Sequence, residues 1–219
     1  MKKRTVYQLI IDRSGSMHGS ENQVISGYNE QLISIQAVQR NFPNQELIMA
    51  LRFFDHNVDP NITDYQPVDQ IKPIEISDYQ LGGSTALLDA IGKSIYDVKT
   101  RFGYEIENHD TTIVFIIITD GHENASKYYT YQDIHRMVRD LEATSNWSFT
   151  FMGADLDAIS ASQRMGINPD NTLSFDKSDY VEVNRRYFDK AANSYAESKE
   201  NNIPVTNFFS IFKQKDIRK

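Results

Sequence analysis

Residues Thr112 to Thr119 read Thr-Ile-Val-Phe-Ile-Ile-Ile-Thr, and the apolar run between the two threonines leaves no polar face. The run is short for a helix and far short of the ~20 apolar residues of a membrane span. A strand covered on both faces remains, and such strands lie in the middle of parallel sheets with helical crossovers.

The rest of the chain supplies strands and crossovers in alternation. Val6–Ile11 is a first strand. Val24, Ile25, Tyr28, Leu32 and Ile35 recur at helical spacing, Leu47–Phe54 is a second strand, and Val58–Val68, with Pro60 and Pro67, is a returning edge segment. Leu88, Ile91, Ile95, Val98 and Phe102 form one helix face. Thr130 and Asp133 make a capping box for a helix carrying Ile134, Met137, Val138 and Leu141. Trp147–Met152, a short helix Asp155–Met165, a strand Thr172–Phe175 and a long helix carrying Tyr180, Val183, Tyr187 and Ala191 complete the pattern. The expected fold is α/β: a doubly wound, Rossmann-like, mostly parallel six-stranded sheet with helices on both faces. In the common strand order 3-2-1-4-5-6, the first and fourth strands are neighbours.

That order gives meaning to Asp12-Arg13-Ser14-Gly15-Ser16, which follows the first strand directly. Carboxylate, hydroxyl and hydroxyl recur at every second position, a hard-oxygen pattern suited to a small divalent cation. Gly82-Gly83-Ser84-Thr85 places a hydroxyl in a glycine-rich loop that opens a helix. Ile116-Ile117-Ile118-Thr119-Asp120-Gly121 puts a second carboxylate at the end of the fourth strand. Neighbouring strands lie ~4.8 Å apart, so Asp12 and Asp120 share one crevice, and their repulsion would raise one pKa.

With these segments the chain resembles the von Willebrand factor type A family, in particular its short, stand-alone bacterial members. The resemblance runs from about Val6 to the helix near Tyr195, and includes Thr85–Ile91, Thr119–Ser126 and Phe151–Ala154. It implies a metal-ion-dependent adhesion site made by Asp12, Ser14, Ser16, Thr85 and Asp120. Magnesium is the expected ion, with manganese next. The implied function is a protein-binding module, not an enzyme: the metal accepts an Asp or Glu side chain of a partner protein. Metal-assisted hydrolysis or phosphoryl transfer at the same site, and a scaffold with a vestigial site, remain open. No phosphate loop or dinucleotide signature is present. His18 and His122 are expected near the metal face. Met17, Gly19, Asp55, Glu123, Tyr128, Tyr129, Asp155 and Asp157 are candidate rim residues, with Asp155 also a candidate helix N-cap.

Composition sets the remaining bounds. At 219 residues and 40% hydrophobic, the chain suits one domain over 1–200, followed by a tail, 201–219, expected to pack back on it. The tail carries Ile203, Val205, Phe208, Phe209, Ile211 and Phe212, then Lys213, Lys215, Arg218 and Lys219. A formal net charge of −7 argues against nucleic acid as a partner. The absence of cysteine excludes disulfides, thiolate zinc sites and thiol catalysis, and suits the cytoplasm. No segment reads as a membrane anchor, and the apolar run after the basic start ends at Asp12. Oligomeric state is open.

Overall fold

The computed structural model describes residues 3–120, 122–153, 156–174, 179–203 and 207–209. Its sheet has six strands in the order β3-β2-β1-β4-β5-β6. They are β1 (Lys3–Asp12), β2 (Gln45–Phe54), β3 (Thr63–Pro67), β4 (Thr111–Thr119), β5 (Trp147–Gly153) and β6 (Thr172–Ser174). All pairings are parallel except β2 with β3. The helices are α1 (Glu21–Asn41), α2 (Leu87–Glu107), α3 (Tyr131–Glu142), α4 (Leu156–Arg164), α5 (Tyr180–Val183) and α6 (Asp189–Glu200). No described helix is long and apolar enough to cross a membrane.

The doubly apolar strand is central for the expected reason. Val114, Ile116 and Ile118 face one core with α1, α5 and α6; Ile113, Phe115 and Ile117 face the other with α2 and α3. Gln8, the polar interruption in β1, lies in the second layer. It is fully buried, accepts from the Tyr65 hydroxyl at 2.8 Å and donates to Leu9 O at 3.1 Å. Both halves of its amide are therefore satisfied, as burial requires.

Two segments differ in detail from the sequence pattern. The edge segment expected over Val58–Val68 pairs as a strand only at Thr63–Pro67, with an isolated bridge from Val58 to Phe54. The long last helix is not uniform: a π-helical stretch, Asn184–Phe188, separates α5 from α6. The wide turn shifts the buried face, so Phe188, Ala192 and Tyr195 enter the core, while Val183 and Tyr187 are only partly buried. At this junction Gln31 Nε2 donates to Asn184 Oδ1 at 2.6 Å, and Asn184 Nδ2 donates to Tyr180 O at 2.8 Å. Gly27 of α1 lets Tyr180 approach; a Cβ there would meet Tyr180 Cε1 at 2.1 Å.

The capping box of α3 forms, with Asp133 N donating to Thr130 Oγ1 and Thr130 N to Asp133 Oδ2. Phe208 and Phe209 are fully buried; Phe208 lies against Tyr7, Phe188 and Tyr195. Phe208 N donates to Ser148 Oγ at 3.2 Å, and Phe209 N to Asn171 Oδ1 at 3.1 Å. Gly121, Ala154, Asp155, Phe175, Val205, Ile211, Phe212 and the basic residues Lys213, Lys215, Arg218 and Lys219 lie outside the described residues.

Candidate metal centre

In the register of β1 and β4, Ile11 lies beside Ile118, so both strands end together. Asp12 and Asp120 consequently emerge at the same pole. Asp12 is 0% exposed and is wrapped by donors. Ser14 N donates to its Oδ1 at 2.7 Å, and Thr119 Oγ1 donates to its Oδ2 at 2.5 Å. The Tyr79 hydroxyl donates to the Asp12 carbonyl at 2.5 Å. Ser14 Oγ and Ser16 Oγ are 3.1 Å apart, and Ser16 Oγ donates to Asp120 Oδ1 at 2.9 Å. One hydrogen-bonded chain thus joins Asp12, Ser14, Ser16 and Asp120.

The glycine-rich loop that precedes Thr85 is fastened to the loop that carries Ser14 and Ser16. Gly15 N donates to Gly83 O at 2.8 Å and Gly82 N to Arg13 O at 2.7 Å, which zips the two loops together. Two residues on, Thr85 is buried, accepts at its carbonyl from Asn124 N and Ala125 N, and donates its N–H to Asn124 Oδ1 at 2.9 Å.

Burial pushes the Asp12 carboxyl up from its ordinary 3.8 to about 6. The bonds from Thr119 and Ser14 pull it down, and the Asp120 charge adds only the smallest upward push. The expected repulsion is present, but desolvation dominates. Burial also holds the Tyr79 phenol well above its usual range, with Asp12 the largest charge acting on it.

Around the centre, three carboxylates fix the loops: Asp55 and Glu123, expected at the rim, and Asp89, which the sequence did not single out. Asp55 is buried and pairs with Arg13 Nη2 at 3.1 Å; its carbonyl accepts from Ala86 N at 2.8 Å. Gly82 makes this possible, since a Cβ there would sit 2.0 Å from Asp55 Oδ2. Asp89, in the first turn of α2, accepts from Lys127 N, Tyr128 N and Tyr129 N at 2.7–2.9 Å. Glu123 accepts from Leu88 N, Ala125 N, Ser126 N and Ser126 Oγ. Asp89 was missed because an acidic residue in the first turn of a helix is too common a pattern to single it out.

The rim candidates separate accordingly. Met17 is buried in the core under α1 and cannot meet a partner. Asp55 and Glu123 are loop fasteners, and Tyr129 packs partly against the second core. Gly19 sits in the left-handed region at φ +84°. His18 is exposed, with Nδ1 3.4 Å from Glu21 Oε1; His122 is exposed, and Tyr128 is 83% exposed. The side chain of Asp157 is outside the description, as is Asp155.

No group of three or more His, Cys, Asp or Glu among the described residues could hold a metal. A cation at this pole would therefore rest on two carboxylates and several hydroxyls, a donor set that fits a hard divalent ion.

No family model matches the sequence, and no curated protein matches it. Solved structures match it in shape. A von Willebrand factor type A protein from Catenulispora acidiphila superposes with a TM-score of 0.58 at 14% identity, covering 89% of this chain and 43% of that one. Proximal thread matrix protein 1 of the mussel byssus, with a zinc-occupied MIDAS motif, gives 0.59 at 15%, covering 88% and 48%. The manganese-loaded TRAP protein of Plasmodium vivax gives 0.55 at 16%, covering 84% and 72%. The chain spans less than half the length of the first two. At such identities the likeness is one of fold: the chain adopts the von Willebrand factor type A fold.

Proposed function

We propose that this von Willebrand factor type A fold is a divalent-cation-dependent protein-binding module, in which Asp12, Ser14, Ser16, Thr85 and Asp120 hold magnesium or manganese. The observation that carries the proposal is the 2.9 Å bond from Ser16 Oγ to Asp120 Oδ1, which joins the ends of β1 and β4 into one oxygen cluster. The zinc-occupied MIDAS motif of the mussel protein and the manganese-loaded Plasmodium protein support a divalent ion on such a fold.

Within the site, Asp12 supplies a buried charge, held in place by Ser14 N and Thr119 Oγ1. Ser14, Ser16 and Thr85 supply neutral oxygens, and Asp120 supplies the second charge. A bound cation would act as a Lewis acid toward an incoming carboxylate. At most five side chains are available for an ion that takes about six oxygens, so an Asp or Glu of a partner protein supplies a missing ligand and negative charge. Residues 1–200 form the module, which works in the cytoplasm, with the following segment held to it at Phe208 and Phe209.

Affinity capture from native extract, run with magnesium and with chelator, tests this proposal. Partners should be retained only with the metal and lost with Asp12→Asn or Thr85→Ala, while Lys99→Ala retains them. Capture that persists in chelator would overturn it.

A further inference from the structure

The opposite pole of the sheet holds a cavity of 480 Å³, lined by Lys3, His109, Thr112, Thr144, Ser145, Asn146, Tyr195, Lys199, Asn202 and Ile203. Its size suits a small molecule. It belongs to no part of the metal centre, and none of these lining residues is acidic, although the whole chain carries a net charge of −7.

The two lysines differ. Lys3 Nζ donates to Lys199 O at 2.7 Å, Glu200 O at 3.1 Å and Asn202 Oδ1 at 2.7 Å, so it caps the last carbonyls of α6 and is offset by that helix end. Lys199 Nζ donates to Arg4 O, to Thr5 Oγ1 at 3.0 Å and to Thr112 Oγ1 at 2.7 Å. These neutral oxygens solvate the ammonium without neutralising it. Arg4 is itself engaged by Glu46 at 2.7 Å and Glu105 at 3.7 Å, and the Glu200 carboxylate accepts from Gln45 Nε2 at 3.1 Å. The other helix ends at this pole are capped by amides: Ile106 O of α2 accepts from His109 N and Asn146 Nδ2, and Leu141 O and Glu142 O of α3 accept from Thr144 N and Ser145 N. Burial pushes the Lys199 amine down to about 7, and the Lys3 and Arg4 charges push in the same direction.

Among the described residues, the non-glycine positions with positive φ are Tyr65, His109, Ser145 and Asn202, and the last three line this cavity, at φ 58°, 61° and 56°. Each follows the C-terminus of a helix, α2, α3 or α6, where a left-handed residue is an ordinary way to close the last turn, so the three mark the helix ends that wall the cavity.

We propose that this cavity binds a small oxyanion, a phosphate or carboxylate head group, whose charge is taken by Lys199 and whose oxygens meet the Thr112 and Ser145 hydroxyls and the His109 ring. The ligand supplies the counter-charge that Lys199 does not receive from any of the described residues. The site is independent of the metal centre, so either proposal can fail alone.

The test is calorimetric titration of the full chain in chelator with inorganic phosphate, and separately with succinate, at constant ionic strength set by sodium chloride. Saturable binding of at least one ion is expected; the responding arm identifies the head group. Lys199→Met should weaken it about tenfold or more, whereas Asp12→Asn and the exposed Lys93→Met should not change it. In the wild-type chain, nitrogen-detected NMR should show the Lys199 ammonium pKa rising by about one unit on saturation, the linkage counterpart of a tenfold preference for the charged amine. That readout holds even if Lys199→Met fails to fold. No saturable binding by either ion, equal binding by Lys199→Met, or an unmoved Lys199 titration would overturn the proposal.

Discussion

At the carboxyl ends of the strands the buried charges are carboxylates, and each is met by N–H and O–H donors. Asp89 takes three backbone N–H groups, Asp55 takes Arg13 and Asn57 N, and Asp12 takes Ser14 N and Thr119 Oγ1. At the amino ends, the charge without an opposite partner among the described residues is Lys199, ringed by a carbonyl and two hydroxyls, with Lys3 and Arg4 beside it. The contrast teaches that carboxylates fasten loops well because one group accepts several backbone donors at once. An ammonium among neutral oxygens fastens less and keeps an electrostatic debt. Asp12 shares that debt, for its donors do not fully offset its burial.

The largest expected effect comes from the fasteners. Asp89→Ala leaves three backbone N–H groups without their acceptor and should cost on the order of 3 kcal/mol or more. Lys199→Met removes a poorly compensated charge and should cost no more than about 1 kcal/mol. Urea unfolding of both variants measures the gap; equal losses would break the comparison.

A second expectation uses the opposite signs of the two poles. In chelator, Asp12 titrates at about 6 in the folded chain against an ordinary 3.8. Between those values the folded state binds more protons, so stability falls as pH rises, by roughly 3 kcal/mol in all from this group. Lys199 titrates at about 7 against an ordinary 10.5, so across that window the unfolded state binds more protons and stability rises with pH. Asp12→Asn should shrink the fall to the share of Glu142, whose carboxyl burial pushes from 4.5 up to about 7, and Lys199→Met should remove the rise, each read from urea midpoints between pH 4 and 10. A fall of undiminished size in Asp12→Asn would remove Asp12 as its source.

Thr119→Val should have a smaller effect. It removes the hydroxyl that donates to Asp12 Oδ2 and should cost about 1–2 kcal/mol in chelator, with weaker metal binding because the carboxylate loses its orienting donor. Differential scanning calorimetry with and without magnesium checks both parts. The smallest change is expected at Tyr128, whose ring is 83% exposed: Tyr128→Ala should alter stability by no more than about 0.5 kcal/mol. A larger loss by thermal melting would mean that the ring supports the loop pinned by Asp89.

Much of this architecture was legible because its signals are local. The strand end at Asp12, the doubly apolar β4 and the face of α2 are repeated side-chain patterns within single elements, and strand alternation placed β1 beside β4. The cluster of Asp12, Ser14, Ser16 and Asp120 followed from that adjacency. What was not legible depends on contacts between distant segments. Thr119 was read as the end of a strand and the start of the Thr119–Ser126 segment, with no role toward Asp12, yet its hydroxyl orients that carboxylate. Tyr79 reaches the Asp12 carbonyl from a loop without periodicity. The π-helical stretch at Asn184–Phe188 is specified by Gln31 and Gly27 on another helix, so a pattern read along one helix could not reveal the shifted face. Met17 looked like a rim residue by its place beside the motif, but the turn at Gly15–Met17 points it inward.

The most direct test of the metal-centre account is calorimetric titration of manganese, and then magnesium, into the metal-free chain at pH 7.5, alongside Asp12→Asn. This variant keeps the shape of Asp12 and removes its charge. The account predicts one saturable site per wild-type chain and none in Asp12→Asn, with the variant as stable as wild type in chelator or more so, because the buried charge is gone. Equal binding by both proteins, or no binding by wild type, would contradict it.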